Sequence, residues 1–389
     1  MALLFLFVGQ VAFAASQQCK SNEALTEFGR WFNPSVTVKP GEIKPVSHPA
    51  NYVTKALRLQ ISVAGQLDPS ARVIVRDEAY HFLASFAASD LPAEAVAVRD
   101  LWTGNLPASD VTLEFRSPAS NATVSVTTAV ALPPTTTGER VFSLQGAIAN
   151  WKFAYKSPHT SLTQARLVGD EVGMMVGGNP DNQHSWCCSA VIVGDNIALT
   201  NWHCGGGVDE QHWSSRTCAA TIFDFGWDDG AVRRQYSCAK VLLADEGLDF
   251  ALIALRPVLG GGGVNGASVP ASVFSGTIDA NEPVFLVHHA LCEEKRVSSQ
   301  CKVVEKQRTG WRATNGDPSE FSHNCDSETG ASGSPVFDLK GRVIGLHHLG
   351  FDTGPNCTPD HVNKAIRMDR IKAFIGHSDP VLLQALHWD

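Results

Sequence analysis

The sequence predicts an all-β chain of two domains, closed by a single C-terminal helix. Three observations carry that expectation. Apolar and polar residues alternate in short runs between about residues 50 and 130, the period of half-buried strands. A Pro- and Thr-rich stretch then interrupts every periodicity, and beyond residue 167 the composition changes: nine of the ten cysteines, most histidines and most glycines lie there. At 389 residues, with 44% hydrophobic and 18% charged side chains, the chain is long enough for two separate cores.

The elements follow in chain order. Residues 1–15 are an apolar run of leader length with cleavage after Ala14 or Ala15, marked by Ala12-Phe13-Ala14, and are expected to be a signal peptide. No Lys or Arg precedes the run, so a buried first strand is the alternative. Within 16–131, ALRLQISVAG sends Leu57, Leu59, Ile61 and Val63 to one face and Arg58, Gln60 and Ser62 to the other. Val111, Leu113 and Phe115 repeat the pattern, as do Val124 and Val126, with turns at Leu67-Asp68-Pro69-Ser70 and Gly104-Asn105. Strands this short predict a β-sandwich of jelly-roll type, an accessory or pro domain with nothing catalytic in it. The linker or pro-segment of 132–166 opens on LPPTTTGER. From 167 to 389, SAVIVGDNIALT and FALIAL read as strands between Gly-containing loops, a second all-β domain rather than a βαβ array. Only VNKAIRMDRIKAFI, 362–375, has apolar spacing near 3.6 and predicts a helix. The four-glycine run at 260–263 lacks a following Lys and helix, so it reads as a loop and not as a phosphate cradle.

Composition excludes several functions. The net charge of −8 is mild, and no basic stripe points to nucleic acid or an anionic membrane surface. No segment approaches about 20 apolar residues, so no stable membrane insertion is expected. An even set of ten cysteines fits export to an oxidising compartment, outside the cell or in the periplasm of a Gram-negative host. There is no C-x-x-C pair, and His184 beside Cys187 and Cys188 lacks ligand spacing, so no metal or other cofactor is expected. Asn121-Ala122-Thr123 and Asn356-Cys357-Thr358 fit the glycosylation pattern.

Three segments of the second half make chemical sense together. CSAVIVGDNIALTNWHC sets His203 at the end of an apolar strand, GLDFALIAL leads from Asp249 into a buried run, and CDSETGASGSPVF flanks Ser332 with glycines. Hydrolysis through a serine needs a base for the hydroxyl proton, a carboxylate to orient that base, and amides aimed at the developing oxyanion. Gly330 and Gly333 allow a turn sharp enough for the amides of Gly330 and Ser332 to face one point. An α/β-hydrolase elbow would need Gly at position 334, which is Ser.

TNWHC, DFALIAL and G-A-S-G-S-P, in this order, resemble the motifs of the chymotrypsin- and trypsin-fold serine proteases over roughly residues 167–375. The GSP ending and HHALCEEKRVS, residues 288–298, resemble the bacterial secreted branches, including glutamyl endopeptidases. The resemblance implies a double six-stranded β-barrel, His203 as general base, Asp249 as its partner, Ser332 as nucleophile, and a protein or peptide substrate. It also implies a Cys188–Cys204 disulfide bracketing His203. Asp326 and Ser327 stand where the trypsin branch reads Lys or Arg, whereas His347 stands where glutamyl endopeptidases hold an acidic side chain. Cleavage after Lys or Arg is the expectation, glutamate the alternative, and an Asp326–His347 pair would reconcile the two. His348 and Gly350 complete the expected substrate strand. RLVGD at 166–170 resembles a zymogen junction, but Ala331 replaces the Asp that would receive a new N-terminus. Inhibition by the preceding segment, or a sandwich that stays attached and binds a surface or matrix ligand, are the remaining expectations. Proximity in sequence suggests Cys218–Cys238, Cys292–Cys301 and Cys325–Cys357, with Cys19 tethered to Cys187. A binding protein without activity, and an esterase on the same residues, are the rivals.

Overall fold

The computed structural model describes residues 25–388 apart from 26, 91–97, 119–120, 135–150, 154–162, 208–209, 229–233, 259–269, 313–315, 352–361 and 387. The expected signal peptide, the glycine run at 260–263, Cys19, Cys357 and the Asn356 pattern lie outside these residues. Among the described residues no helix is long and apolar enough to cross a membrane.

The first unit contains β1 (Arg30–Phe32), β2 (Val36–Val38), β3 (Ile43–Val46), β4 (Ala56–Ala64), β5 (Arg72–Asp77) and β6 (Phe82–Ala87). It continues with β7 (Val98–Trp102), β8 (Val111–Arg116) and β9 (Thr123–Leu132). One sheet runs β1-β9-β4-β7 with β2 also on β9, and the other runs β3-β8-β5-β6. Leu57, Leu59, Ile61 and Val63 meet Leu113, Phe115, Val124 and Val126 in one core between the sheets. The alternation predicted for this region is therefore the inward face of a sandwich. One residue of the outward set departs from it: Arg58 is buried, because the second unit covers that end of β4.

The second unit begins with β10 (Trp151–Phe153), α1 (Thr163–Gly169), β11 (Val172–Asn179), β12 (His184–Gly194) and β13 (Ile197–Thr200). Then come α2 (Ser215–Ala220), β14 (Ile222–Asp224), β15 (Gln235–Asp245) and β16 (Phe250–Pro257). Strands β11-β12-β13-β16-β15-β14 close into a barrel. The other half comprises β17 (Pro283–His288), β18 (Arg296–Lys302), β19 (Glu320–His323), β20 (Pro335–Asp338), β21 (Val343–Leu349) and β22 (Asn363–Arg367). They form a sheet ordered β10-β18-β17-β20-β21-β22-β19, and a bridge between Val303 and His323 brings the end of β18 round to β19. The expected pair of six-stranded barrels is present, with β10 as an added edge drawn from the segment read as linker.

The C-terminal helix is shorter than its spacing suggested. Asn363–Arg367 is strand β22, held between β19 and β21, and helix α3 covers Met368–Ser378, followed by α4 (Pro380–Leu386). All five β22 residues are buried, so sheet pairing overrides the helical period there. Met368, Ile371 and Ile375 then pack α3 onto a core shared by both barrels.

Among the described residues, four disulfides join Cys187–Cys292, Cys188–Cys204, Cys218–Cys238 and Cys301–Cys325. This corrects Cys292–Cys301, Cys325–Cys357 and the Cys19–Cys187 tether. Adjacent strand residues face opposite ways, so Cys188 turns into the barrel core while Cys187 turns out toward the second sheet. Val284 on β17 lies opposite Cys301 on β18, which places Cys301 over the second core beside Cys325, not beside Cys292.

The two units are joined by a packed seam. Phe28, Ala56, Val130 and Leu132 of the sandwich bury against Met174, Val176, Cys187, Trp227 and Cys292. Phe28 N–H donates to Ser185 O at 2.9 Å, and Ser185 Oγ donates to Phe28 O at 2.7 Å. Arg58 Nη2 donates to Ala220 O at 2.7 Å with its guanidinium over the Trp102 ring. A cavity of about 640 Å³ opens along this seam, lined by Trp102, Trp213 and Arg216 among others; none of the predicted site residues lines it.

Candidate active site

His203 opens a short helical turn after β13, and Asp249 immediately precedes β16. Strands β13 and β16 pair with Thr200 opposite Ala251, which brings the two side chains together. Asp249 adopts φ 45°, a left-handed conformation that Asp tolerates better than most residues. His203 donates from Nδ1 to Asp249 Oδ2 at 2.8 Å, and its backbone N–H donates to Oδ1 at 2.9 Å. Asn201 Nδ2 fixes the Asp249 carbonyl at 2.8 Å. Burial alone would raise the Asp249 carboxyl, but the charges and hydrogen bonds of His203 and His348 hold it well below the usual carboxylate range. With Nδ1 committed to Asp249, Nε2 is the ring nitrogen left to handle a substrate or serine proton, as a general base requires.

Ser332 is half-buried in the connection from β19 to β20, with Oγ 3.4 Å from His348 O. Two glycines make its loop feasible. Gly330 has φ +93°, and an added Cβ would lie 2.7 Å from His289 O; Gly333 has φ +85°, with Ser189 O only 2.1 Å from such a Cβ. Backbone bonds from Ser189 N to Ser332 O at 2.7 Å and from Gly333 N to His347 O at 2.9 Å tie the loop to both barrels.

Ser189, in the middle of β12, is a residue the sequence reading missed. Its Oγ donates to Gly330 O at 2.9 Å and accepts the His289 N–H at 3.0 Å. A serine inside an apolar strand carries no motif to mark it. Ala331 is fully buried, and the expected zymogen junction lies in helix α1 with Leu167 exposed.

The expected specificity residues are also gathered near this loop. Asp326 and Ser327 are buried, and the Asp326 carbonyl accepts Ser298 Oγ at 2.6 Å. Behind it, His288 accepts Ala290 N–H on Nδ1 and so donates from Nε2 to Ser298 Oγ at 3.0 Å. His347 pairs with His323, not with Asp326: His323 accepts Cys325 N–H on Nδ1, which leaves its Nε2–H to donate to His347 Nδ1 at 3.2 Å. His347 therefore carries its own hydrogen on Nε2. Burial holds His288 and His323 down to about 3 and His347 well below its ordinary value, the neighbouring cations adding to the effect. Gly350 accepts the buried Lys364 ammonium at 2.8 Å.

His348 is placed differently from the expectation for a substrate strand. Its Nδ1 lies 3.1 Å from Asp249 Oδ2 and its Nε2 lies 3.3 Å from Glu320 Oε1, an ion-pair distance without hydrogen-bond alignment. Burial opposes the charge, but Glu320 and Asp249 outweigh it and raise His348 to about 9. Cys188, His203 and Cys204 also converge, yet the two sulfurs are joined to each other and His203 Nδ1 is taken by Asp249, so the trio cannot act as a ligand set.

Residues 188–346 match the family model of the trypsin-like peptidase domain. Over 227 residues, 47% of this chain, the sequence is 24% identical to the mouse (Mus musculus) serine protease FAM111A. The chain spans about a third of that relative's length, 35%. Among solved structures, an inactive form of Rv3671c from M. tuberculosis is similar at 13% identity, 58% of this chain and 98% of that one, with a TM-score of 0.40. The active form of that protease aligns at 12% identity over 61% and 93%, with a TM-score of 0.41.

Proposed function

We propose that the protein is a serine endopeptidase acting through an acyl-enzyme. The observation that carries this reading is the double grip of Asp249 on the ring and backbone of His203, together with a half-buried Ser332 on a glycine-shaped loop, its Oγ against the carbonyl of His348, a residue that contacts Asp249. His203 takes the Ser332 hydroxyl proton as Oγ attacks the peptide carbonyl, and returns it to the leaving amine when the C–N bond breaks. Water then attacks the ester by the reverse use of His203, releasing the acid and restoring the hydroxyl. The amides of Gly330 and Ser332 receive the oxyanion. The four disulfides among the described residues support work in an oxidising compartment, and the packed seam supports a sandwich that stays attached.

A peptidyl phosphonate is expected to form one covalent adduct on Ser332, read by peptide mapping. Ser332→Ala and His203→Ala are expected to lower kcat about 10⁴-fold or more. Oxidised, folded wild type without an adduct would leave a binding protein on this fold as the better reading.

For the substrate, the buried Asp326 favours Lys or Arg before the cleaved bond, since a carboxylate in a pocket prefers a cation. A second reading has one observation behind it: the tautomer of His347 leaves an Nε2–H donor suited to a glutamate side chain. Peptide-library cleavage by wild type and Asp326→Ala separates them. Loss of basic preference in the variant supports the first reading; an acidic preference untouched by the substitution supports the second.

A further inference from the structure

We propose that His348 is a positioning residue for the His203–Asp249 pair: a buried imidazolium, clamped between Asp249 and Glu320, that keeps Asp249 an ionised acceptor for His203. The proposal rests on the endopeptidase reading and deepens it. Its basis is geometric. Asp249 Oδ2 lies 2.8 Å from His203 Nδ1 and 3.1 Å from His348 Nδ1, so one oxygen serves two rings. Glu320, on β19, faces the far side of the same imidazole at 3.3 Å and also accepts the Trp311 backbone N–H. Asp249, His348 and Glu320 are all nearly inaccessible, at 2%, 4% and 4%.

Charge counting explains why the site needs a cation there. Asp249 and Glu320 on either side of a neutral ring would place two carboxylates in one dry pocket, and one would take up a proton. A charged His348 leaves a resting net charge of −1 with His203 neutral. When His203 takes the serine proton, the four groups sum to zero and the negative charge moves to the oxyanion, so the total is conserved while the imidazolium of His203 gains two carboxylates facing one other cation. Other ionisable groups surround His348. His347 beside it and His323 on β19 are held neutral by burial, and Lys364 on β22, whose ammonium donates to Gly350 O, is a further cation that acts on His323 and lies outside these four groups. The attraction of Glu320 and Asp249 raises His348 to about 9 against its burial, consistent with a cation at neutral pH.

Two variants test this. His348→Asn keeps a donor for Asp249 without charge, and Glu320→Gln keeps the shape while removing the second carboxylate. Phosphonate titration first gives the concentration of active sites, and kcat and kcat/KM per active site are then measured from pH 5 to pH 10. Wild type is expected to lose activity along an alkaline limb near pH 9 as His348 discharges. Glu320→Gln should move that limb down by about one unit, and His348→Asn should remove it while lowering kcat about tenfold or more at little cost in KM. Variants with fewer active sites but wild-type pH profiles and kcat per site would show a packing role only and overturn the proposal. A wild type without adduct on Ser332 overturns the endopeptidase reading and the proposal with it; a labelled wild type with unchanged variant profiles overturns the proposal alone.

Discussion

At the scale of single residues, the site depends on small groups that have no room to change. Gly333→Ala would press a methyl into Ser189 O and Thr200 Oγ1 at a left-handed φ, so both space and backbone oppose it. A loss of about 3 kcal/mol or more is expected, read as a lower midpoint in chemical denaturation. Ser189→Ala removes the donor to Gly330 O and leaves the His289 N–H buried without its acceptor. It is expected to lower kcat about tenfold with KM little changed, measured at constant active-site concentration. The pairing of His203 with Asp249 and the glycine-shaped loop of Ser332 were legible because each residue stands in its own short pattern. Ser189, Glu320 and His323 were not, since their roles are contacts made across long stretches of chain: 141 residues between Ser189 and Gly330, 24 between His323 and His347.

At the scale of elements, strands were read from their alternation wherever one face meets solvent, as in β4 and β8. Where both faces are covered the pattern is lost. Every residue of β22 is buried, and its spacing passed for the first turn of a helix. The same two-sided burial places neutral His288 on β17 and neutral His323 on β19 inside the second barrel. Both are held down to about 3 when folded, against an ordinary 6.5, so the unfolded chain binds more protons between those values. Their contribution is complete above pH 6.5 and is lost as the pH falls toward 3. His348 runs the other way, contributing fully below 6.5 and losing its contribution as the pH rises through about 9. Urea midpoints should therefore peak near neutrality and fall on both sides; a midpoint flat from pH 7 to pH 4 would contradict the acid arm.

At the scale of the whole molecule, the sandwich and the barrels share a core. Arg58 is one polar contact of that seam, alongside Asn105 bonded to Gln235 and Asp224, and it is fully buried with a carbonyl partner and an aromatic face. Arg58→Ala is expected to cost about 2–4 kcal/mol, because it opens a void and strands Ala220 O. Calorimetry of wild type should give one transition, and a chain beginning at residue 167 should aggregate by exposing Met174, Val176 and Trp227. The neighbouring Cys187 and Cys188 also bear on how this protein is made. One closes a span of 105 residues to Cys292 and the other a span of 16 to Cys204, so the short bridge forms first from the reduced chain. The Cys188 end of that bridge then stands one peptide bond from the waiting Cys187 thiolate, and exchange can swap the partner until the distant half arrives. Yield of native protein should thus depend on a thiol–disulfide isomerase or shuffling buffer more than on oxidant strength.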